Sequence, residues 1–213
     1  MPILFFFVIT FGSSKLSPYI YTDRLVGLDW INEKFMDKRE QIINIATKLF
    51  SERGFDKTPL SAVCEEANVS KGLIFHHFKN KNDLLREIFK STTKLIIEIN
   101  QPKSSNQTAQ EKLLELIESF FTQLETDKLF FQLNLNVMLQ PTTRDILGDL
   151  INERSSFIMN SVKNIFDEID SNNSLVKSYL FISELDGIAL NYLGIFDEYP
   201  LEEIKKQILI KYA

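Results

Sequence analysis

Residues 68–82 hold both histidines of the chain and three of its lysines, but none of its 29 acidic side chains. Basic side chains without acidic neighbours suit a surface that approaches the phosphates of a nucleic acid. A metal site is the alternative chemistry, because histidine is a common ligand. His76 and His77 are adjacent, however, so on a helix their side chains would diverge by about 100°, and no Cys, Asp or Glu lies at ligand spacing beside them. The sequence therefore predicts neither a metal nor a cofactor.

Apolar residues around this segment recur with the period of an α-helix. The pattern predicts a first helix that Gly54 ends and a second that Thr58 caps, with Pro59 at its first position. Ser70 would cap a short third helix. Asn68 lies in the turn before it, where the tolerance of asparagine for the left-handed conformation is useful. Two helices joined in this way form a helix-turn-helix unit, whose second helix enters the major groove of DNA.

The segment 58–85, which reads TPLSAVCEEANVSKGLIFHHFKNKNDLL, strongly resembles the DNA-binding domain of the tetracycline-repressor (TetR) family of bacterial regulators. Residues 42–55 fit the first helix of the same family, so the resemblance covers roughly residues 38–90. It implies that the residues contacting DNA are Thr58, Ser70, Lys71, Gly72, Leu73, Phe75, His76, His77 and Lys81.

The resemblance also implies what several of these residues do. Thr58 and Lys81 would each meet a phosphate, and Gly72 would let the third helix approach the DNA closely because it has no Cβ. We expect His76 to read a base. Phe75 stands where the family usually has a tyrosine, so a phenolic contact with a phosphate should be absent.

The net charge of the 213-residue chain is −5, but the charge is unevenly distributed. Residues 36–90 carry ten basic and eight acidic side chains, a net charge of +2, whereas residues 91–213 carry eleven and eighteen, a net charge of −7. We therefore predict a helix-turn-helix domain at 36–90 and a helical ligand-binding and dimerisation domain at 91–213. Residues 1–35 form an apolar leader whose apolar run is about half a membrane span. A secretory signal needs a basic residue near its start, and none precedes Lys15. We therefore expect the leader to lie outside the functional domain.

The helical period continues through residues 109–212 without strand-like alternation, which predicts an all-α fold. This part has no histidine and no motif of a nucleotide-binding or hydrolytic enzyme, so we predict no catalytic residues and no enzyme activity. Its aromatic and methionine side chains could simply pack a core. The alternative is a cavity for a small, largely apolar molecule. The candidate ligand-binding residues are Phe120, Phe131, Asn134, Met138, Phe157, Asp186, Asn191 and Tyr192.

Residues 175–195 are apolar on more than one helical stripe, and the final helix has an apolar face of its own. A helix that is apolar around much of its circumference must be buried on two sides. Pairing with the same helices of a second chain would form a four-helix interface with twofold symmetry, and the resemblance implies the same homodimer. The predicted interface residues are Tyr179, Ile182, Leu190, Leu193, Ile204 and Ile208.

Together these observations predict a cytoplasmic transcriptional regulator, which we expect to be a repressor that binds a palindromic operator in double-stranded DNA as a homodimer. A small-molecule effector would change the separation of the two recognition helices, which must fit successive major grooves about 34–36 Å apart. The single cysteine, Cys64, agrees with a reducing compartment, and we expect no membrane partner. The alternative is a helical ligand-binding or membrane-tethered protein that has lost DNA binding.

Overall fold

A computed structural model describes residues 37–99 and 107–213, and the predicted leader, residues 1–35, lies outside the described residues. Within the described ranges the chain forms helices and no strand, so the prediction of an all-α fold is confirmed. None of the described helices is both long and apolar enough to cross a membrane. In chain order the helices are α1 (Lys38–Arg53), α2 (Leu60–Glu66), α3 (Lys71–His77), α4 (Lys81–Ile99), α5 (Ala109–Thr126), α6 (Lys128–Leu139), α7 (Pro141–Ile169), α8 (Ser174–Gly194) and α9 (Leu201–Tyr212).

The first three helices and the start of α4 enclose one apolar core. The residues that recur every three or four positions in α1 are its buried residues, and the Phe50 ring meets the Phe55 ring edge to face at 5.2 Å. Ile74 of α3 and Leu85 of α4 are fully buried in the same core. Each such side chain contributes about 1.5–3 kcal/mol by leaving water. The small core holds α3 in place although α3 has only seven residues.

This core extends into the C-terminal part of the chain. Leu133 and Val137 of α6 and Leu147 of α7 are buried in it together with the residues of α1 and α4. The side-chain amide of Asn136 donates a hydrogen bond to the Ser51 carbonyl at 2.9 Å, which ties α6 to α1. The two predicted domains therefore meet through a shared apolar core along α6 and α7.

A second core, rich in phenylalanine, lies among α5 to α9. Phe120, Phe131 and Phe181 are fully buried in it. The rings pack edge to face, with centroids 6.0 Å apart for Phe120 and Phe131 and 5.8 Å apart for Phe166 and Phe181, an arrangement that their quadrupoles favour. This core positions the residues that the sequence marks as candidates for ligand binding.

Asp127 is a buried carboxyl between α5 and α6. It is the N-cap of α6, and its Oδ1 accepts a hydrogen bond from the Phe130 amide at 3.3 Å. Burial raises the pKa of the Asp127 carboxyl to about 7, although the hydrogen bond from Phe130 partly opposes the shift. This carboxyl therefore changes its charge near neutral pH.

Asp127→Asn is expected to remove a pH dependence of the free energy of unfolding. Because the pKa of Asp127 is raised from 3.8 by folding, its stabilising contribution is complete below about pH 4 and is lost as the pH rises through the folded pKa. Asparagine cannot ionise, so the stability of the variant relative to the wild-type chain should rise by about 4 kcal/mol between about pH 4 and pH 8. Urea unfolding at both pH values measures this gain, and a constant difference between the two proteins would contradict it.

Candidate nucleic-acid interface

The turn between α2 and α3 has the geometry that the sequence predicts. Asn68 adopts a φ of 48°, the left-handed conformation, and the Val69 amide donates to the Cys64 carbonyl at 2.9 Å. Ser70 caps α3, since its Oγ accepts a hydrogen bond from the Leu73 amide at 3.1 Å. A short, hydrogen-bonded turn fixes α3 across α2, as a helix-turn-helix unit requires.

Helix α3 has one buried face and one exposed face. Ile74 is fully buried, and Phe78, which directly follows the helix, is buried beside it. On the opposite side, 47% of the Phe75 surface is accessible, and the Lys71 Nζ lies 5.8 Å from the centroid of the Phe75 ring. The predicted DNA-contacting residues that share this exposed face are Ser70, Lys71, Gly72, Phe75 and His76, with Leu73 and His77 half-buried at its edges.

Gly72 lies on the exposed face without being required there by the protein itself. A Cβ at this position would meet only the Ser70 Oγ, at 3.8 Å. No contact among the described residues accounts for a glycine here, and the close approach of Gly72 to DNA stays a prediction.

Two predictions made from the sequence about Thr58 are wrong, namely that it caps α2 and that it meets a phosphate. Pro59, not Thr58, occupies the N-cap position of α2. The Thr58 side chain is fully buried, and its hydroxyl donates to the Gly54 carbonyl at 2.8 Å, with the Leu49 carbonyl 3.3 Å away. A hydroxyl enclosed in this way does not face a phosphate. Thr58 instead closes the loop after Gly54, which ends α1 as predicted with a φ of 82° that only glycine adopts freely.

Lys81 is the first residue of α4, but its side chain turns toward the protein. Its Nζ donates a hydrogen bond to the Phe55 carbonyl and lies 4.1 Å from the centroid of the Phe55 ring. Desolvation lowers the pKa of Lys81, and the nearby Asp56 carboxylate partly opposes this shift. In this conformation the ammonium group stabilises the loop between α1 and α2, whereas the side chain of Lys71 is exposed on α3.

Alanine at Lys71 and methionine at Lys81 are expected to have different effects. Lys71→Ala should weaken binding to all DNA sequences about equally and flatten the salt dependence by roughly one unit of slope, because its partner would be a phosphate. Lys81→Met should leave that slope unchanged and lower the free energy of unfolding by about 1 kcal/mol, because the Phe55 carbonyl loses its donor. Binding measured over a salt series, together with urea unfolding, separates the two effects. A slope that changed only with Lys81→Met would restore Lys81 as the phosphate contact.

Arg154 is a buried polar residue that the sequence reasoning missed. Only 5% of its surface is exposed, and its Nε donates to Thr93 Oγ1 and its Nη1 to Asn134 Oδ1, each at 2.7 Å. Its Nη2 donates to the Phe89 carbonyl at 2.7 Å and to Thr92 Oγ1 at 2.6 Å. The signal was present in the sequence, because position 154 continues the apolar stripe of α7 that Leu147, Ile151, Ile158 and Val162 form.

The candidate ligand-binding residues lie in or around the C-terminal core. Phe120 and Phe131 are fully buried, and Met138, Phe157 and Tyr192 are half-buried against the same core. Asn134 and Asp186 are buried, and Asn191 is half-buried. The Asn134 side chain is already bonded within the protein, because its Nδ2 donates to the Phe130 carbonyl at 2.7 Å and its Oδ1 accepts from Arg154. Contact of these eight residues with a ligand stays a prediction.

The predicted dimer residues do not share one surface. The prediction is wrong for Ile182 and Ile208, because both are buried in the core of their own chain. The partly buried residues that pack against that core are Leu190, Leu193 and Ile204. Tyr179 is exposed, and its place in a dimer interface stays a prediction. The exposed apolar side chains beside it, which the predicted interface did not include, form one face of α8. We call this set the α8 face: Leu175, Val176, Tyr179 and Leu180.

Comparison with known proteins shows which proteins this chain is similar to. A family model described as "Bacterial regulatory proteins, tetR family" matches residues 42–88, from α1 into α4. The fatty acid metabolism regulator protein of Bacillus subtilis (strain 168) is 32% identical over 122 residues, which are 54% of this chain and 63% of that protein. The chain thus spans less than two thirds of the length of this relative, and smaller shares of the next two curated relatives.

Two solved structures share the fold over most of the chain. The fatty acid degradation regulator FadR from Bacillus halodurans superposes with a TM-score of 0.69 at 22% identity, over 83% of this chain and 95% of that one. The transcriptional regulator FadR from Bacillus subtilis, solved in complex with stearoyl-CoA, superposes with a TM-score of 0.67 at 24% identity, over 81% of this chain and 96% of that one. At these identities the likeness is one of fold.

Proposed function

We propose that the chain is a transcriptional repressor of the TetR family, whose model matches residues 42–88, that it binds its operator as a homodimer and that a long-chain acyl compound releases it. The observation that carries this proposal is the exposed face of α3. Lys71, Phe75 and His76 lie there above a buried Ile74, in a segment without carboxylates. Such a face can enter the major groove, where cations neutralise phosphates and imidazole or aromatic groups meet base edges.

We propose that the α8 face pairs with the same face of a second chain. In an isologous contact the same apolar surface of each chain covers that of the other, and a twofold axis places two copies of α3 for two half-sites of a palindromic operator. The four residues of the α8 face are each about half exposed or more in the single chain, which supports a partner on this side.

The relatives support the class of effector. One is named for fatty acid metabolism and another was solved with stearoyl-CoA. In this chain the C-terminal core offers Phe120, Phe131 and Met138, which suit an alkyl chain. An acyl chain that prefers the conformation with mismatched recognition helices by a few kcal/mol would suffice to release the DNA.

The same reasoning bears on enzyme activity and location. The relatives named above are regulators, and both histidines of this chain lie on α3 rather than in the C-terminal core. We propose that the chain has no catalytic activity, and that it acts in the cytoplasm, where its DNA target is.

Fluorescence anisotropy with labelled DNA from the region flanking the chain's own gene tests this function. At physiological salt one fragment should bind with a Kd of roughly 10⁻⁸–10⁻¹¹ M, at least about a thousandfold more tightly than random DNA. Stearoyl-CoA should release the fragment, and free coenzyme A, which lacks the acyl chain, should not. Equal affinity for both DNAs would contradict a regulator. Acyl binding without DNA binding would favour a ligand-binding protein that has lost its DNA function.

A further inference from the structure

Arg154 is a buried cation whose partners belong to two other helices. Three of its four acceptors, on Phe89, Thr92 and Thr93, lie on α4, and the fourth, Asn134 Oδ1, lies on α6. The guanidinium carbon is 3.5 Å from the centroid of the Phe89 ring. All four acceptors are neutral.

Packing alone does not explain an arginine at this position. Burial lowers the pKa of the guanidinium to about 9, so Arg154 is still charged at neutral pH. Taking a cation out of water without an anionic partner is unfavourable, and an apolar side chain on the same stripe is often the more stabilising choice. The charge therefore indicates a role other than stability.

The acceptors around the guanidinium are themselves held in fixed orientations. Thr92 and Thr93 both donate their hydroxyl hydrogens to the Phe89 carbonyl at 2.8 Å, so they offer only lone pairs to the cation. The Asn134 amide donates to the Phe130 carbonyl, which aims its oxygen. Bonds in such a network polarise one another and form or break together, whereas apolar contacts can slide.

This network connects the two cores of the chain. At one end, Asn134 follows Phe130 and Phe131 on α6, and the Phe131 ring packs on Phe120 in the C-terminal core. At the other end, Leu85 and Ile88 of α4 are buried in the core that holds α3. A displacement of α6 therefore reaches α4 through hydrogen bonds rather than through apolar packing alone.

We propose that Arg154 is the positioning residue through which the C-terminal core sets the place of α4 and, with it, of α3. An acyl effector that enters the C-terminal core moves Asn134, and the guanidinium transmits this movement to α4 through Phe89, Thr92 and Thr93. This inference rests on the proposed function, because it requires an effector in the C-terminal core.

A second arginine link between α4 and α7 provides a matched control. Arg86 of α4 donates two hydrogen bonds to the Asp149 carboxylate, at 2.6 and 2.7 Å, and one to the Ile146 carbonyl at 2.7 Å. Asp149 is largely exposed, and exposed ion pairs are screened by water and salt. If any link between α4 and α7 sufficed, removing Arg86 would have the same effect as removing Arg154.

Hydrogen exchange of the full chain, with and without stearoyl-CoA, tests the inference without requiring DNA. In the wild type both α5 and α4 should change their exchange rates. In the double variant Arg154→Leu/Thr93→Val, which leaves the candidate ligand-binding residue Asn134 in place, α5 should still respond and α4 should not. Arg86→Met should respond like the wild type. DNA binding supplies the second readout. The factor by which stearoyl-CoA raises the Kd for DNA should fall by about tenfold or more in the double variant only.

The outcomes distinguish the two proposals. No change in α5 of the wild type would overturn the acyl effector and this inference with it. The inference alone would be overturned if stearoyl-CoA changed the exchange rates of α5 but not of α4 in the wild type. It would also be overturned if α4 of the double variant responded like α4 of the wild type. A double variant that melts well below the wild type would show that Arg154 serves stability, and would overturn it equally.

Discussion

Leu180→Asp is expected to turn the dimer into a monomer and to weaken operator binding by about a hundredfold or more. In the single chain 64% of the Leu180 surface is exposed, at the edge of the α8 face. A carboxylate there would be buried in an apolar contact without a partner, which is costly because the charge loses its water. A single α3 would then bind a single half-site, without the gain in affinity that binding of the second half-site provides.

Sedimentation velocity and anisotropy with the operator fragment measure the two effects. Leu139→Asp is the matched control, because 65% of the Leu139 surface is exposed but this residue ends α6 and does not belong to α8. The control should sediment as a dimer and bind DNA like the wild type. If Leu180→Asp formed a dimer as stable as that of the wild type, the interface would lie on another surface.

The second large effect is expected at α3, where Phe75→Ala/His76→Ala should lose roughly a hundredfold in affinity for the operator and little for random DNA. Both side chains are exposed, so their removal should leave the helical content intact. Phe75 offers an apolar ring that can meet a thymine methyl, and His76 offers ring nitrogens that can meet a base edge.

His76→Ala alone should change which bases are preferred at one position of each half-site. Lys79→Ala is the control, because Lys79 is exposed beyond the end of α3 and should keep the preferred sequence whatever it does to affinity. Circular dichroism of all the variants checks the fold. The same consensus for the wild type and for His76→Ala would remove His76 as a base reader.

Local sequence patterns predicted the helix-turn-helix unit well. The Ser70 cap, the left-handed Asn68 and the end of α1 at Gly54 are all found as expected. Each depends on interactions between residues at most a few positions apart, so the relevant chemistry is readable from the sequence itself. The registers of α1 and α3 follow for the same reason.

The errors concern residues whose roles depend on distant partners. Thr58 is enclosed by the backbone of α1, and Lys81 is held by a carbonyl 26 positions earlier in the chain. Ile182 belongs to a helix that is apolar on two sides, and periodicity alone cannot tell which side meets the chain's own core. Here Phe181 packs on Phe166, which turns Ile182 inward with it and leaves Leu180 outside.

Selection from a pool of random double-stranded DNA with the purified chain tests whether the chain reads DNA as a dimer. We predict an enriched consensus with two inverted half-sites whose centres lie about one helical turn, or a multiple of it, apart. The Phe75→Ala/His76→Ala variant should enrich no such sequence under the same conditions. A wild-type chain that enriched no sequence, or one without twofold symmetry, would contradict a dimeric regulator that reads DNA through α3.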